Sequence, residues 1–138
     1  MSLSIRNQLA GTVTSITPGA VMATVKVRLD GGQDITAAIT LEAVEELGLR
    51  EGAAVRTLIK STEVALATGP VRGVSIRNQL AGTVAEVSTG GAMASVKVDV
   101  EGGELTAAIT KDAVTDLSLT TGTSVVALIK STEISLSV

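Results

Sequence analysis

Several classes of side chain are missing from this 138-residue chain, which has no cysteine, no histidine and no phenylalanine, tryptophan or tyrosine. The absence of Cys and His excludes disulfide bonds, thiol and histidine catalysis, zinc and iron–sulfur sites, and histidine ligation of haem. Without aromatic side chains there is no platform on which nucleobases stack, and the core must be aliphatic. The net charge of −3 also argues against non-specific nucleic-acid binding, which depends on basic patches.

Catalytic and membrane signals are absent from the sequence as well. It contains no Walker A motif, no G-x-S-x-G, no G-x-G-x-x-G and no calcium loop, so we expect a protein that is not an enzyme and holds no bare metal cation. The first residues lack a basic stretch followed by an apolar one, and the longest uncharged run, residues 7–25, is interrupted by Thr, Ser, Gly and Pro. We therefore expect a soluble, cytoplasmic protein with no membrane partner.

The chain consists of two copies of one sequence unit. Residues 4–13 return unchanged at 75–84, residues 36–40 return unchanged at 106–110, and residues 58–63 return unchanged at 128–133. Such self-similarity indicates a duplicated structural module. The Gly-Pro punctuation between the copies is typical of a linker. We therefore predict a first module at residues 1–68, a linker at 69–73 and a second module at 74–138.

Each copy has the pattern of five short strands. Val25, Val27 and Leu29 alternate with Lys26 and Arg28, which predicts a strand with one buried face over residues 22–29. The glycine pairs that follow at residues 31–32 and 102–103 predict hairpin turns. The other strands predicted in the first copy cover residues 9–16, 35–39, 55–59 and 63–67, and the last strand of the second copy covers 133–137.

A short helix is predicted between the third and fourth strands of each copy. Thr40 and Thr110 can cap helices over residues 41–47 and 111–117. Met22 and Met93 follow turns and are interpreted as core residues. The resulting fold class is mainly β, with two tandem OB-like five-stranded Greek-key barrels, each carrying one short helix.

Two repeated blocks collect hydrogen-bond donors. Residues 4–7 and 75–78 hold a hydroxyl, a guanidinium and an amide, and residues 60–62 and 130–132 hold an ammonium and two hydroxyls. Such a set suits a tetrahedral oxyanion, whose oxygens only accept hydrogen bonds. A structural alternative is equally compatible with the spacing: Arg6 and Lys60 could pair with Glu63 or another carboxylate at a subunit contact.

The same blocks resemble the molybdate-binding Mop (molbindin) family. The resemblance spans nearly the whole chain twice and rests on Ser-Ile-Arg-Asn-Gln-Leu, Ile-Thr and Leu-Ile-Lys-Ser-Thr in that order. It implies non-enzymatic binding of molybdate, with tungstate as analogue, at sites where Ser4 and Arg6 face a Lys-Ser pair from another module. The implied oxyanion-binding residues are Ser4, Ile5, Arg6, Asn7, Thr40, Lys60, Ser61, Ser75, Ile76, Arg77, Asn78, Thr110, Lys130 and Ser131.

The resemblance also implies an oligomer with further oxyanion sites on its threefold axis. Candidates for these axial sites are Gly19, Ala20, Val21, Met22, Gly90, Gly91, Ala92 and Met93. Two fused modules per chain would form a homotrimer equivalent to a hexamer of single modules. The implied role is intracellular molybdenum storage or homeostasis. The alternatives are a structural oligomerisation module and an OB-fold nucleic-acid binder, neither with an oxyanion function.

Overall fold

The computed structural model describes residues 2–138 and repeats one order of elements twice. The first repeat contains strands β1 to β5, helix α1 and a 3₁₀ turn at Ser61–Glu63; the second contains β6 to β10, helix α2 and a 3₁₀ turn at Ser131–Glu133. The elements are β1 Asn7–Pro18, β2 Met22–Leu29, β3 Asp34–Thr40, α1 Leu41–Glu46, β4 Ala54–Ile59, β5 Ala65–Ala67, β6 Asn78–Thr89, β7 Met93–Val100, β8 Gly103–Thr110, α2 Lys111–Asp116, β9 Ser124–Ile129 and β10 Ile134–Ser137.

These strands form two five-stranded sheets that exchange their last strands. The first sheet has the order β10-β4-β1-β2-β3, and the second has the order β5-β9-β6-β7-β8. Ile134 of the second repeat therefore pairs with Ile59 of the first, and Ala65 of the first repeat pairs with Leu128 of the second. Each sheet is thus completed by a strand from the other repeat.

The exchange modifies the domain organisation expected from the sequence. The two curled, five-stranded sheets and the OB-like strand order confirm the predicted fold class. The expectation that each repeat supplies all five strands of its own barrel is corrected, because β5 and β10 each cross to the other sheet. The boundaries at residues 1–68, 69–73 and 74–138 divide the sequence repeats and remain a prediction for independent modules.

The core is aliphatic and runs through both repeats without interruption. Val25, Val27 and Leu29 are buried, whereas Lys26 and Arg28 on the opposite face of β2 are exposed, as the alternation predicted. Met22 begins the same strand on its outward face and is 45% exposed, and Met93 is 49% exposed. The interpretation of the two methionines as core residues is therefore wrong, since strand periodicity places them on the solvent side.

The turns and caps follow the local sequence. The Oγ1 atoms of Thr40 and Thr110 each accept a hydrogen bond at 3.1 Å from the backbone three residues later, so both predicted helix caps are confirmed. The hairpin after β2 meets the hairpin after β7 backbone to backbone at Gly31 and Gly102, and Gly102 has a φ of +79°. A side chain at Gly31 would collide with the carbonyl of Glu101.

Differences at element ends are small. The helices end one residue earlier than predicted, and β1 extends from Asn7 to Pro18 rather than over residues 9–16. The last strand of the first repeat was predicted over residues 63–67, but β5 begins at Ala65, because Glu63 belongs to the 3₁₀ turn Ser61–Glu63. Within residues 2–138, neither helix has the length and apolar content needed to cross a lipid bilayer.

Candidate functional site

The two donor blocks of a repeat leave the sheet side by side. Asn7 pairs with Ile59 at the end of the β1–β4 ladder, and Asn78 pairs with Ile129 at the same place in the β6–β9 ladder. The Ser-x-Arg residues immediately precede these asparagines, and the Lys-Ser residues immediately follow these isoleucines. The antiparallel register therefore brings both blocks of one repeat to the same end of the sheet.

In the second repeat these blocks line one surface cavity of about 280 Å³. Its lining residues are Ser75, Ile76, Arg77, Lys130, Ser131 and Thr132. Five of these six residues were predicted from the sequence as oxyanion-binding. Thr132 was omitted from that prediction, although its occurrence in both copies of the Lys-Ser-Thr block was an available signal. The cavity combines three hydroxyls, a guanidinium and an ammonium, all of which can donate hydrogen bonds.

The blocks that meet in this cavity belong to the same repeat. The sequence interpretation expected the Ser-x-Arg segment of one module to face the Lys-Ser segment of another. Within one chain, the ladders end at Asn7–Ile59 and Asn78–Ile129, so the two blocks of the same repeat continue from neighbouring strand ends. The expected contact with a Lys-Ser segment of another module stays a prediction. The other repeat still contributes to the surroundings, because the turn Ser131–Glu133 lies against β3, and the turn Ser61–Glu63 lies against β8.

The Lys-Ser segments are also the points where the chain crosses between sheets. Lys60 follows the last residue of β4, in the first sheet, and leads to β5, in the second sheet. Lys130 follows β9, in the second sheet, and leads to β10, in the first. A ligand bound at either lysine would therefore contact the segment that connects the two sheets.

The Ser61 hydroxyl is buried without a hydrogen-bond partner in the part of the chain that is described. A buried hydroxyl that makes no hydrogen bond costs free energy, so native proteins rarely leave one unpaired. Ser61 directly follows Lys60, whose side chain is exposed and carries a positive charge. The hydroxyl is therefore suited to donate to a group that enters from outside the chain.

The two site asparagines have structural partners. Asn78 is 3% exposed; its Oδ1 accepts from the Thr36 N–H at 2.7 Å, and its Nδ2 donates to the Thr36 carbonyl at 2.8 Å. Asn7 is 2% exposed and makes the same pair of bonds with the backbone of Thr106, at 2.7 and 2.9 Å. Each amide thus joins the start of one repeat's first strand to the third strand of the other repeat.

The two site arginines are exposed and brace their own loops. The Arg77 guanidinium donates to the Val74 carbonyl at 2.8 Å, and that of Arg6 donates to the Leu3 carbonyl at 3.3 Å. The ion pairs within residues 2–138 are Arg28–Asp34 and Lys97–Glu86, and neither includes a residue of the donor blocks. The donor blocks therefore keep their positive charges free of carboxylate partners in the described chain.

A second cavity of about 270 Å³ adjoins the first and shares Ile76 and Lys130 with it. Its other walls are mostly aliphatic and include the side chains of Glu63 and Glu133. Two carboxylates beside a single ammonium repel an anion, so this cavity does not have the chemistry of an oxyanion site.

Thr40 and Thr110 are not among the residues that line the donor cavity. Each hydroxyl oxygen is engaged as a helix cap, although the O–H of a capping threonine can still donate. Their place in the site stays a prediction.

The candidate axial residues form two exposed turn tips. The Gly19 N–H donates to the Met22 carbonyl at 2.7 Å, and the Gly90 N–H donates to the Met93 carbonyl at 2.8 Å. Val21 is 71% exposed at the first tip. These tips present backbone and apolar side chains to solvent, but a single chain does not bring them to a common axis.

Taken together, the fold and the site define a tandem OB-like protein with a cluster of cationic and hydroxyl donors at each crossing between its sheets. The chain belongs to the TOBE domain family, whose model matches residues 3–66 and again residues 74–136. The resemblance to molybdenum-binding Mop proteins is confirmed by the relatives that follow.

The chain is similar to proteins named for molybdenum. It is 39% identical over 132 residues to the molybdenum transport protein ModE of Herbaspirillum seropedicae, covering 94% of this chain and 49% of the relative. It is 39% identical over 133 residues to the molybdenum-pterin-binding protein MopB of Rhodobacter capsulatus, covering 95% of this chain and 49% of the relative. The chain thus spans about half the length of these curated relatives.

A solved structure matches both repeats and their arrangement. The cytoplasmic molybdate-binding protein ModG, crystallised with molybdate bound, superposes with a TM-score of 0.96 at 40% sequence identity. The match covers 100% of this chain and 99% of the ModG chain. The predicted tandem fold is confirmed by this agreement.

Proposed function

We propose that this chain binds molybdate, with tungstate as an analogue, without catalysing a reaction. The observation that carries the proposal is the cavity in which Ser75, Arg77, Lys130 and Ser131 meet with no carboxylate among its lining residues. A tetrahedral dianion needs donors on several sides, and this group supplies charged and neutral donors together. ModG, which shares the fold over its whole length, is described as molybdate-binding, and this supports the choice of anion.

The set of residues proposed to hold the anion is smaller than the set predicted from the sequence. We assign direct contact to the side chains of Ser4, Arg6, Lys60 and Ser61 and to their counterparts Ser75, Arg77, Lys130 and Ser131. The backbone N–H groups of Ile5 and Ile76 and the hydroxyls of Thr62 and Thr132 are further donors. The side chains of Asn7 and Asn78 are left out, because their amides are already bonded to Thr106 and Thr36.

The number of donors is sufficient for useful affinity. A hydrogen bond to a charged group contributes roughly 1.5–3 kcal/mol. Five or six such bonds, less the cost of desolvating a dianion, leave about −8 kcal/mol, which corresponds to micromolar affinity. The net charge of −3 does not prevent binding, because screening over about 10 Å limits the field of distant carboxylates.

We further propose a homotrimer that stores or buffers molybdenum in the cytoplasm. The exposed apolar tips at Val21, Met22 and Met93 favour contact with other copies of the chain. The backbone donors of Ala20, Gly91 and Ala92 would then converge on an axis, whereas the N–H groups of Gly19 and Gly90 are bonded within their own turns. The description of ModG as cytoplasmic supports the proposed location.

Native mass spectrometry with molybdate, and with sulfate at equal concentration as control, tests this function. We expect a trimer that takes up several molybdate ions and little sulfate. The double variant Arg6→Ala/Arg77→Ala should lose most of the uptake while keeping its oligomeric state, since both guanidinium groups are exposed. Arg50→Ala, which removes an exposed arginine outside the donor blocks, is the matched control. A trimer that stays empty would instead identify a structural oligomerisation module.

A further inference from the structure

A glutamine is bonded to each oxyanion loop in the same way in both repeats. The Gln8 Nε2 donates to the Ile5 carbonyl at 3.1 Å, and the Gln79 Nε2 donates to the Ile76 carbonyl at 3.3 Å. Each bond reaches back three residues, from the first strand of the repeat to the middle of the Ser-x-Arg segment. Because the same bond occurs in both repeats, we infer that it is a regular feature of the loop and does not depend on the packing around one copy.

The bonded carbonyl belongs to a residue of the donor cavity, because Ile76 is one of its lining residues. A carbonyl oxygen carries partial negative charge and repels an anion, whereas the N–H groups of the same segment attract it. The orientation of the peptide after Ile76 therefore affects the number of donors that the segment can offer. A donor that holds this carbonyl outside the anion's coordination shell would fix that orientation.

Gln79 is well placed to supply this constraint. It lies in β6 between Asn78 and Leu80, which are 3% and 1% exposed, so its backbone is anchored on both sides. Gln8 lies between Asn7 and Leu9, which are similarly buried. Both glutamines are themselves half-buried, and a fixed backbone limits the positions that their amides can take.

The loop is held from its other end by the arginine. Arg77 donates to the Val74 carbonyl and Gln79 donates to the Ile76 carbonyl, so two overlapping hydrogen bonds, each across three residues, brace residues 74–79. On anion binding the guanidinium can exchange its carbonyl partner for a stronger, charge-assisted one. The glutamine bond then remains to keep the loop in its binding conformation.

We propose that Gln8 and Gln79 are positioning residues for the oxyanion loops, holding the Ile5 and Ile76 carbonyls away from the anion so that the N–H groups and side-chain donors face it. This assignment rests on the proposed oxyanion function. It concerns residues that contact the loop and do not contact the anion.

The test is the double variant Gln8→Met/Gln79→Met, which keeps side-chain length and removes the donor. Equilibrium dialysis with molybdenum quantified by elemental mass spectrometry gives the affinity and the number of ions bound. We expect affinity about three- to tenfold weaker, the range that corresponds to one neutral hydrogen bond per loop. The thermal midpoint of the anion-free protein should fall by only a few degrees, because both glutamines are half-buried and water can bond to the released carbonyls.

Gln33→Met is the matched control, because Gln33 also donates to a backbone carbonyl, that of Ala81 at 3.5 Å, but lies outside the donor cavity. If Gln8→Met/Gln79→Met binds as tightly as Gln33→Met, the positioning role is refuted while the oxyanion function stands. A wild-type protein that takes up no molybdate refutes the function and the assignment together. If the double variant loses anion-free stability, the single variant Gln79→Met is compared with wild type. Equal losses of anion-free stability and of affinity in this variant, both expressed as free energies, would again refute the role.

Discussion

Removal of the Asn78 amide should destabilise both repeats, because Asn78 is bonded to the other repeat. Asn78→Ala deletes the 2.7 and 2.8 Å bonds to Thr36 and leaves the Thr36 N–H and carbonyl without these partners in a partly buried position. A lost hydrogen bond contributes about 1 kcal/mol, and an unsatisfied buried group costs about 1–3 kcal/mol. Thr36 is only half-buried, so water recovers part of this loss. We expect a decrease in the free energy of unfolding of about 2–4 kcal/mol.

The assay is urea denaturation of the anion-free protein followed by far-ultraviolet circular dichroism, since the chain has no Trp or Tyr for fluorescence. Protein concentration must be fixed, because oligomerisation contributes to apparent stability. Gln33→Ala is the control: its bond to Ala81 also spans the repeats but is long and exposed, so its loss should cost under about 0.5 kcal/mol. An Asn78→Ala effect as small as that of the control would refute the structural role and return Asn78 to the list of candidate anion ligands.

Two further predictions concern the seam between the repeats and the protein surface. Gly31→Ala should destabilise the protein by more than about 2 kcal/mol in the same urea assay, because the new methyl group meets the Glu101 carbonyl. Gly69→Ala, where the added methyl group meets open space, should change the stability little. Equal effects of the two substitutions would contradict the close approach of the hairpins. The Arg28 guanidinium, hydrogen-bonded to the Asp34 carboxylate at 2.9 Å, lowers the pKa of Asp34. A lowered carboxyl pKa adds stability above the unfolded pKa of about 3.9, and this stability is lost as the pH falls through the lower folded pKa. Asp34→Asn should therefore unfold at a slightly lower urea concentration than wild type at neutral pH, and the two midpoints should converge in acid. A difference between the midpoints that grows with acidity would contradict the pairing.

Local sequence was sufficient to predict most elements but not their partners. Period-two alternation identified β2, glycine pairs identified the hairpins, and Thr40 identified a helix cap, since each of these signals acts over a few residues. The exchange of β5 and β10 has no such signal. The two repeats are so alike that the last strand of either presents similar side chains to either sheet, and only the three-dimensional path of the chain decides between them.

The same difference between local and long-range signals explains which parts of the candidate site could be predicted from the sequence. The hydroxyl, guanidinium and ammonium groups could be found from their chemistry, because donor-rich blocks that recur in both copies are unusual. The role of Asn78 could not, since an amide beside Arg77 in sequence has the chemistry of a ligand until burial and the Thr36 backbone are known. The glutamine bond was likewise invisible, because it depends on the loop turning back over the strand.

The proposed anion site lies where the chain crosses between the two sheets, so anion binding is linked to the fold. Lys60 and Lys130 lie where the chain passes between sheets, and Arg6 and Arg77 immediately precede the asparagines that bind the opposite repeat. An anion held by both blocks of one repeat would therefore contact a segment that crosses between the sheets and a segment that precedes an asparagine bonded to the other repeat. A ligand that binds only the native state stabilises it by RT ln(1 + [L]/Kd), or about 2.7 kcal/mol at a hundredfold excess over Kd. Under the proposed function, molybdate should thus oppose dissociation of the two exchanged strands as well as occupy a surface cavity.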